Sequence, residues 1–108
     1  MEMHDQLNEG QKIIVRVDAE LSELVPAFLV NRGMDIQLMH KALKTGDYEI
    51  IERTGHGMKG AGSGFGFDAV TEIGACIEAA AKNKDWEVIQ KAIDELGNYL
   101  QRLEVVYE

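Results

Sequence analysis

The segment Gly55-His56-Gly57-Met58-Lys59-Gly60 sets a histidine one helical turn ahead of a lysine, with a glycine directly after that lysine. Residues three and four apart are neighbours on a helix surface. Lys59 therefore puts a cation beside the imidazole, and Gly60 leaves bare backbone there. A neutral imidazole is a competent nucleophile near physiological pH. A nucleophile with a neighbouring cation and room for a bulky partner is suited to carrying a doubly charged phosphoryl group.

These residues act together only if a helix positions them. Ile51, Thr54, Met58, Ala61 and Phe65 recur at steps of three and four, the spacing of one helical face. At about 100° per residue they fall within roughly 40° of a common direction, and His56 lies about 180° from it. Glu49, Glu52, Arg53, Lys59, Gly60 and Ser63 share the His56 side. If the apolar stripe is buried, His56 sits at the centre of the solvent face.

The glycines need a reason of their own. Residues 55 to 66 contain six of them, and each interior glycine costs a helix up to about 1 kcal/mol relative to alanine. Gly62 projects onto the buried side, where it would admit a neighbouring helix. Gly66 ends the helix. Gly60 projects beside His56, where a side chain would crowd an incoming protein. Gly57 and Gly64 fall near the boundary. A merely structural histidine does not need glycines at 55, 57 and 60.

Three other readings compete. Gly55-x-Gly57-x-x-Gly60 matches the dinucleotide fingerprint in form, and Glu78 lies at a suitable distance for a ribose. That fingerprint needs a preceding strand and a βαβ unit, whereas Tyr48 to Thr54 reads as helix. A Walker pattern is absent from the sequence. A metal site would need converging ligands, but His4, His40 and His56 fall on separate segments with no i,i+4 pair. His40 reads as a helix-surface residue and Cys76 as a small, partly buried one. A disordered glycine loop conflicts with the apolar spacing that runs unbroken from Ile51 to Phe65.

The other elements follow from the same patterns. Residues 1–12 lack periodicity and read as a mobile lead. Ile13 to Val17 is β-branched, and with no second strand candidate it is expected to pack on helices as an extended piece. Asp18 caps a short helix from Ala19 to Val25, and Pro26 marks a joint. A long helix follows from Pro26 to about Lys44, along Leu29, Ile36, Met39 and Leu43. Gly46 and Asp47 stop one helix and start the next. Gly66-Phe67-Asp68 resets the chain, with Asp68 as cap, for a helix along Val70, Ile73, Ile77 and Ala80. After Asn83-Lys84-Asp85, a last helix runs through Ile89, Ala92, Ile93, Leu96, Leu100, Leu103 and Tyr107. The expected fold is all-α, an antiparallel four-helix bundle with a short extra N-terminal helix. Residues 1–17 form the lead and residues 18–108 the bundle.

Composition narrows the function. The chain has 108 residues, 45% of them hydrophobic, enough for one domain with a real core. Eleven Lys and Arg against nineteen Asp and Glu give a net charge of -8, which disfavours nucleic acid and anionic membrane surfaces. Cys76 is the only cysteine, so no intrachain disulfide forms, consistent with a reducing compartment. The start lacks a signal-peptide pattern. A soluble cytoplasmic monomer is the expectation.

His56-Gly57-Met58-Lys59-Gly60, with Gly66 beyond it, resembles the H-x-[LM]-K-G…G signature of histidine-containing phosphotransfer domains. Leu24-Val25-Pro26-Ala27-Phe28-Leu29 resembles the start of that family's long second helix. Ala42-Leu43-Lys44-Thr45-Gly46-Asp47 resembles its "AL..GD" turn, and Ile77-Glu78-Ala79-Ala80-Ala81 its "LE.AA" helix. The likeness covers about residues 18–104. Gly57 stands where the family usually has a side chain, and Met58 where leucine is common.

The resemblance implies that His56 is the phosphoacceptor of a phosphorelay in two-component signalling. Its partners would be receiver-domain aspartates of response regulators or hybrid histidine kinases. Lys59 would stabilise the phosphoryl group and Gly60 would admit the partner. Glu52, Arg53, Ser63 and Gly64 are candidate contact residues, with Glu52 also placed to orient the imidazole. No cofactor is expected on this chain, and the Mg2+ would belong to the receiver. With no ATP-binding pattern, the chain is a carrier rather than an enzyme. A phosphoacceptor domain of a chemotaxis-type kinase shares the chemistry. The alternative from another class is a helical adaptor or dimerisation module of the same fold without phosphotransfer.

Overall fold

The computed structural model describes residues 11–108. The expected mobile lead, and His4 within it, therefore lie almost wholly outside the described residues. Four helices carry the fold: α1 (Val25–Thr45), α2 (Tyr48–Phe65), α3 (Asp68–Lys82) and α4 (Trp86–Arg102). Two short strands, β1 (Ile13–Val17) and β2 (Leu103–Tyr107), lie outside the helices.

Local chemistry sets the helix ends. Pro26 sits in the first turn of α1, where its missing N–H costs nothing. Gly46 closes α1 in the left-handed region at φ 73°, and its N–H reaches Ala42 and Leu43 carbonyls. The Asp47 carboxylate then accepts from the Ile50 N–H at 3.2 Å and starts α2. Gly66 ends α2 at φ 84°. Asp85 starts α4 by accepting from the Val88 N–H.

Three expectations need correction. The short helix over Ala19–Val25 is only a 3-10 turn at Ala19–Leu21, capped by Asp18, and Val25 already belongs to α1. Asp68 does not cap α3. Phe67 holds that position without a side-chain bond, because its ring is fully buried and stacks on Phe28 at 5.0 Å. The last helix stops at Arg102 instead of running to Tyr107. Leu103 turns to extended backbone, and β2 pairs in parallel with β1 in the register Ile13↔Leu103 to Val17↔Tyr107. The second strand that the sequence reading lacked is thus the end of its last helix.

The core lies between the helices. Met39 of α1, Ile51 and Met58 of α2, Val70 and Ile77 of α3, and Ile89, Ile93 and Leu96 of α4 are all fully buried. Each such side chain contributes on the order of 2 kcal/mol of hydrophobic stabilisation.

The contact between α2 and α3 is built differently, through glycine. A Cβ at Gly55 would stand 2.8 Å from the Glu78 nitrogen and 2.9 Å from the Gly74 carbonyl. A Cβ at Gly74 would stand 2.7 Å from the Gly55 carbonyl. Gly62 faces Thr71 in the same way, at 2.6 Å from its hydroxyl. Only residues without side chains let the two backbones come this close. The α3 stripe accordingly centres on Gly74 and Ile77, leaving Ile73 half-buried and Cys76 exposed rather than partly buried.

Candidate functional site

The glycine seam brings α3 within side-chain reach of the outer face of α2. Glu78 projects from α3 across the seam and meets two residues of α2. Its Oε2 lies 3.0 Å from His56 Nδ1, and its Oε1 lies 2.9 Å from Lys59 Nζ. One carboxylate thus bridges the histidine and the lysine of the sequence motif.

Burial is graded across these three side chains. Glu78 is only 15% exposed, Lys59 42% and His56 69%. The carboxylate is set back in the seam while the imidazole stands out from it. The hydrogen bond from Lys59 holds the Glu78 carboxyl below its ordinary pKa, against the opposing effect of desolvation and with further help from His56.

Ionised Glu78 can only accept hydrogen bonds. His56 Nδ1 must then carry the proton and donate it to Oε2. The neutral ring keeps its lone pair on Nε2, so the contact selects the tautomer as well as the ring orientation.

The other predicted residues make no hydrogen bond to the ring among the described residues. Glu52 does not orient His56: its carboxylate faces Lys82 Nζ at 4.0 Å, and the Nδ1 contact belongs to Glu78. Arg53 pairs with Glu49 along its own helix at 3.6 Å. The Ser63 hydroxyl donates to the Gly60 carbonyl at 3.0 Å. Gly57, Gly60 and Gly64 are exposed, and a Cβ added at any of them would meet nothing within 4 Å. The surface beside His56 is therefore an open strip of helix backbone. Among the described residues no cluster of three His, Cys, Asp or Glu side chains could hold a metal ion.

The model of the Hpt domain family matches residues 23–105, most of the chain. The chain belongs to the Hpt domain family. That membership implies a phosphorelay carrier of two-component signalling, a phosphotransfer module without a kinase catalytic domain. No curated protein and no solved structure matches the chain. The strand pair frames the Hpt domain: β1 precedes the matched residues, and β2 runs past their end. Among the described residues of this Hpt domain no helix is long and apolar enough to cross a membrane.

Sequence reasoning missed two residues of this site, Glu78 and Gly74. Glu78 is 22 positions from His56, so helix periodicity could not join them. Its only signal was its place in the Ile77-Glu78-Ala79-Ala80-Ala81 run. Gly74 was a readable signal, a glycine within an otherwise strong helix pattern.

Proposed function

We propose that this Hpt domain accepts a phosphoryl group on His56 Nε2 from the aspartyl phosphate of a receiver domain and passes it to the aspartate of another. The observation that carries this reading is the Glu78 bridge. It orients the imidazole beside a cation, as an in-line displacement requires.

In the forward step the Nε2 lone pair forms the N–P bond as the P–O bond to the aspartate breaks. The aspartate leaves as a carboxylate. The ring becomes positively charged with Nδ1–H still in place, and Glu78 balances that charge from 3.0 Å. Lys59, already beside the ring, neutralises part of the phosphoryl charge. The reverse step restores the lone pair. Mg2+ would belong to the receiver side of the complex and would offset charge on the transferring group there.

Gly57, Gly60 and Gly64 let the receiver approach the backbone of α2. Ser63, Arg53 and Glu52 line the same face. Val30, Met34 and Leu38 form an exposed apolar ridge along α1, 63%, 63% and 44% exposed. This ridge supports transient apolar docking. An antiparallel arrangement of the helices, favoured by their two- and three-residue connections, and a cytoplasmic location complete the reading. The adaptor alternative would need neither the Nδ1 contact nor the open glycine strip.

Phosphotransfer from a receiver charged with acetyl phosphate tests this directly. Label should appear on the chain within the lifetime of the aspartyl phosphate, and His56→Gln should abolish it with little change in melting temperature. Label that survives His56→Gln would refute the assignment.

A further inference from the structure

Among the described residues the β1–β2 pair is a two-stranded parallel sheet with no third strand on either edge. Parallel sheets are normally buried within larger ones, and two strands alone are marginal in water. The parity of the ladder shows which backbone groups face outward. The Glu108 N–H donates to the Val17 carbonyl, and the Ala19 N–H donates to the Glu108 carbonyl, both at 3.0 Å. In a parallel register that alternation continues along the strand, so even-numbered residues of β2 face β1. The N–H and C=O groups of Leu103, Val105 and Tyr107 then point away from β1. Among the described residues no turn, cap or side chain takes up those of Val105 and Tyr107.

Glu104 is the one charged residue within β2. The run Leu103-Glu104-Val105-Val106-Tyr107 has no proline or lysine, and its one-to-one register has no bulge. The β1 edge differs, since Lys12 and Arg16 stand along it, and cationic side chains discourage edge pairing.

The β2 sequence is also self-complementary. Antiparallel pairing of two copies about Val105 sets Leu103 opposite Tyr107 of the second copy, an aliphatic–aromatic pair. It sets Glu104 opposite Val106 of the second copy, so no like charges face each other within the paired strands. Tyr107, 41% exposed in the single chain, is covered in this arrangement.

We propose that β2 is the interface of a two-fold homodimer, in which two chains join through Val105 into a four-stranded sheet ordered β1-β2-β2-β1. This replaces the monomer expected from the sequence, and it does not depend on the phosphotransfer reading. The contact is isologous, so it closes at two copies.

Sedimentation equilibrium of the full chain should give a mass that rises with concentration from 12.0 kDa toward twice that value. Val105→Pro removes one outward N–H and no bond to β1, so it should sediment as a monomer with helical circular dichroism unchanged. Amide hydrogen exchange supplies a readout without mutation: the Val105 and Tyr107 amides should gain protection with concentration, while Ile14 and Arg16 amides should not. A wild-type chain that stays monomeric at its solubility limit overturns the proposal. So does a Val105→Pro variant that dimerises as wild type, or Val105 and Tyr107 amides that exchange freely in a dimer.

Discussion

Two sets of glycines occupy one helix and have opposite surroundings. Gly55 and Gly62 face α3 across distances under 3 Å from where a Cβ would stand, while Gly57, Gly60 and Gly64 face open space. The first set exists for packing. The second has no packing role, and the proposed function assigns it to the approach of a partner. The Glu78 contact depends on the inner set, which brings its helix close enough to touch His56, while the outer set leaves the surface beside that histidine open. On the proposed function, the same residue type in one helix serves fold and function separately, and substitution should separate them by sign.

The largest effect should come from the inner set. Gly55→Ala drives a methyl into the backbone of α3, so a loss of about 1–3 kcal/mol or more is expected, measured by urea denaturation. Phosphotransfer should fall with it, because the helices must part and carry Glu78 away. If Gly55→Ala melted like wild type, the close seam would be wrong.

The outer set should respond in the opposite direction. Gly60→Ala should raise stability by up to about 1 kcal/mol, because an exposed helical glycine costs that much. Gly60→Gln should also favour the helix, yet transfer should drop sharply as its side chain fills the approach to His56. A Gly60→Gln variant that transfers at the wild-type rate would remove the functional half of the comparison.

A smaller effect concerns the bridge between the two sets. The folded-state pKa of Glu78 is depressed from 4.5. Its contribution to stability is therefore full above that pH and is lost as pH falls through the depressed folded value. Asp35 acts with the opposite sign, since burial raises its carboxyl pKa despite Arg32. Comparing wild type with Glu78→Gln cancels that second group. The difference in melting temperature between them should shrink on acidification below about pH 4.5. A constant difference would mean that Glu78 is not bound as an ion.

The smallest effect is expected at the rim. Glu52 meets Lys82 only at 4.0 Å on an exposed surface, so Glu52→Gln should shift stability within about 0.5 kcal/mol. It should also leave the ring tautomer of His56 unchanged in a nitrogen-15 spectrum, whereas Glu78→Gln should alter it.

The helix carrying the site was legible because Ile51 and Met58 are fully buried where their spacing placed them, and His56 is exposed opposite. Gly62 was legible for the same reason. Gly55 was grouped with Gly57 and Gly60 and its packing role was missed, since a wheel shows direction but not the distance to a neighbouring helix. Glu78 was hidden because its partners are contributed by another element. The end of the chain misled through its period: Leu96, Leu100, Leu103 and Tyr107 continue a helical stripe, yet Leu103, Val105 and Tyr107 alternate equally well as a strand. Pairing with β1, a tertiary contact, decides between them.

The central claim is that Glu78 holds the proton on His56 Nδ1 and leaves Nε2 to carry the phosphoryl group. Phosphorus-31 and nitrogen-15 NMR of chain labelled at histidine, phosphorylated by a charged receiver, tests it most directly. The account predicts one phosphoramidate, acid-labile, coupled to Nε2 of His56 and absent in His56→Gln. Phosphate on Nδ1 of His56, or on His40, would contradict it.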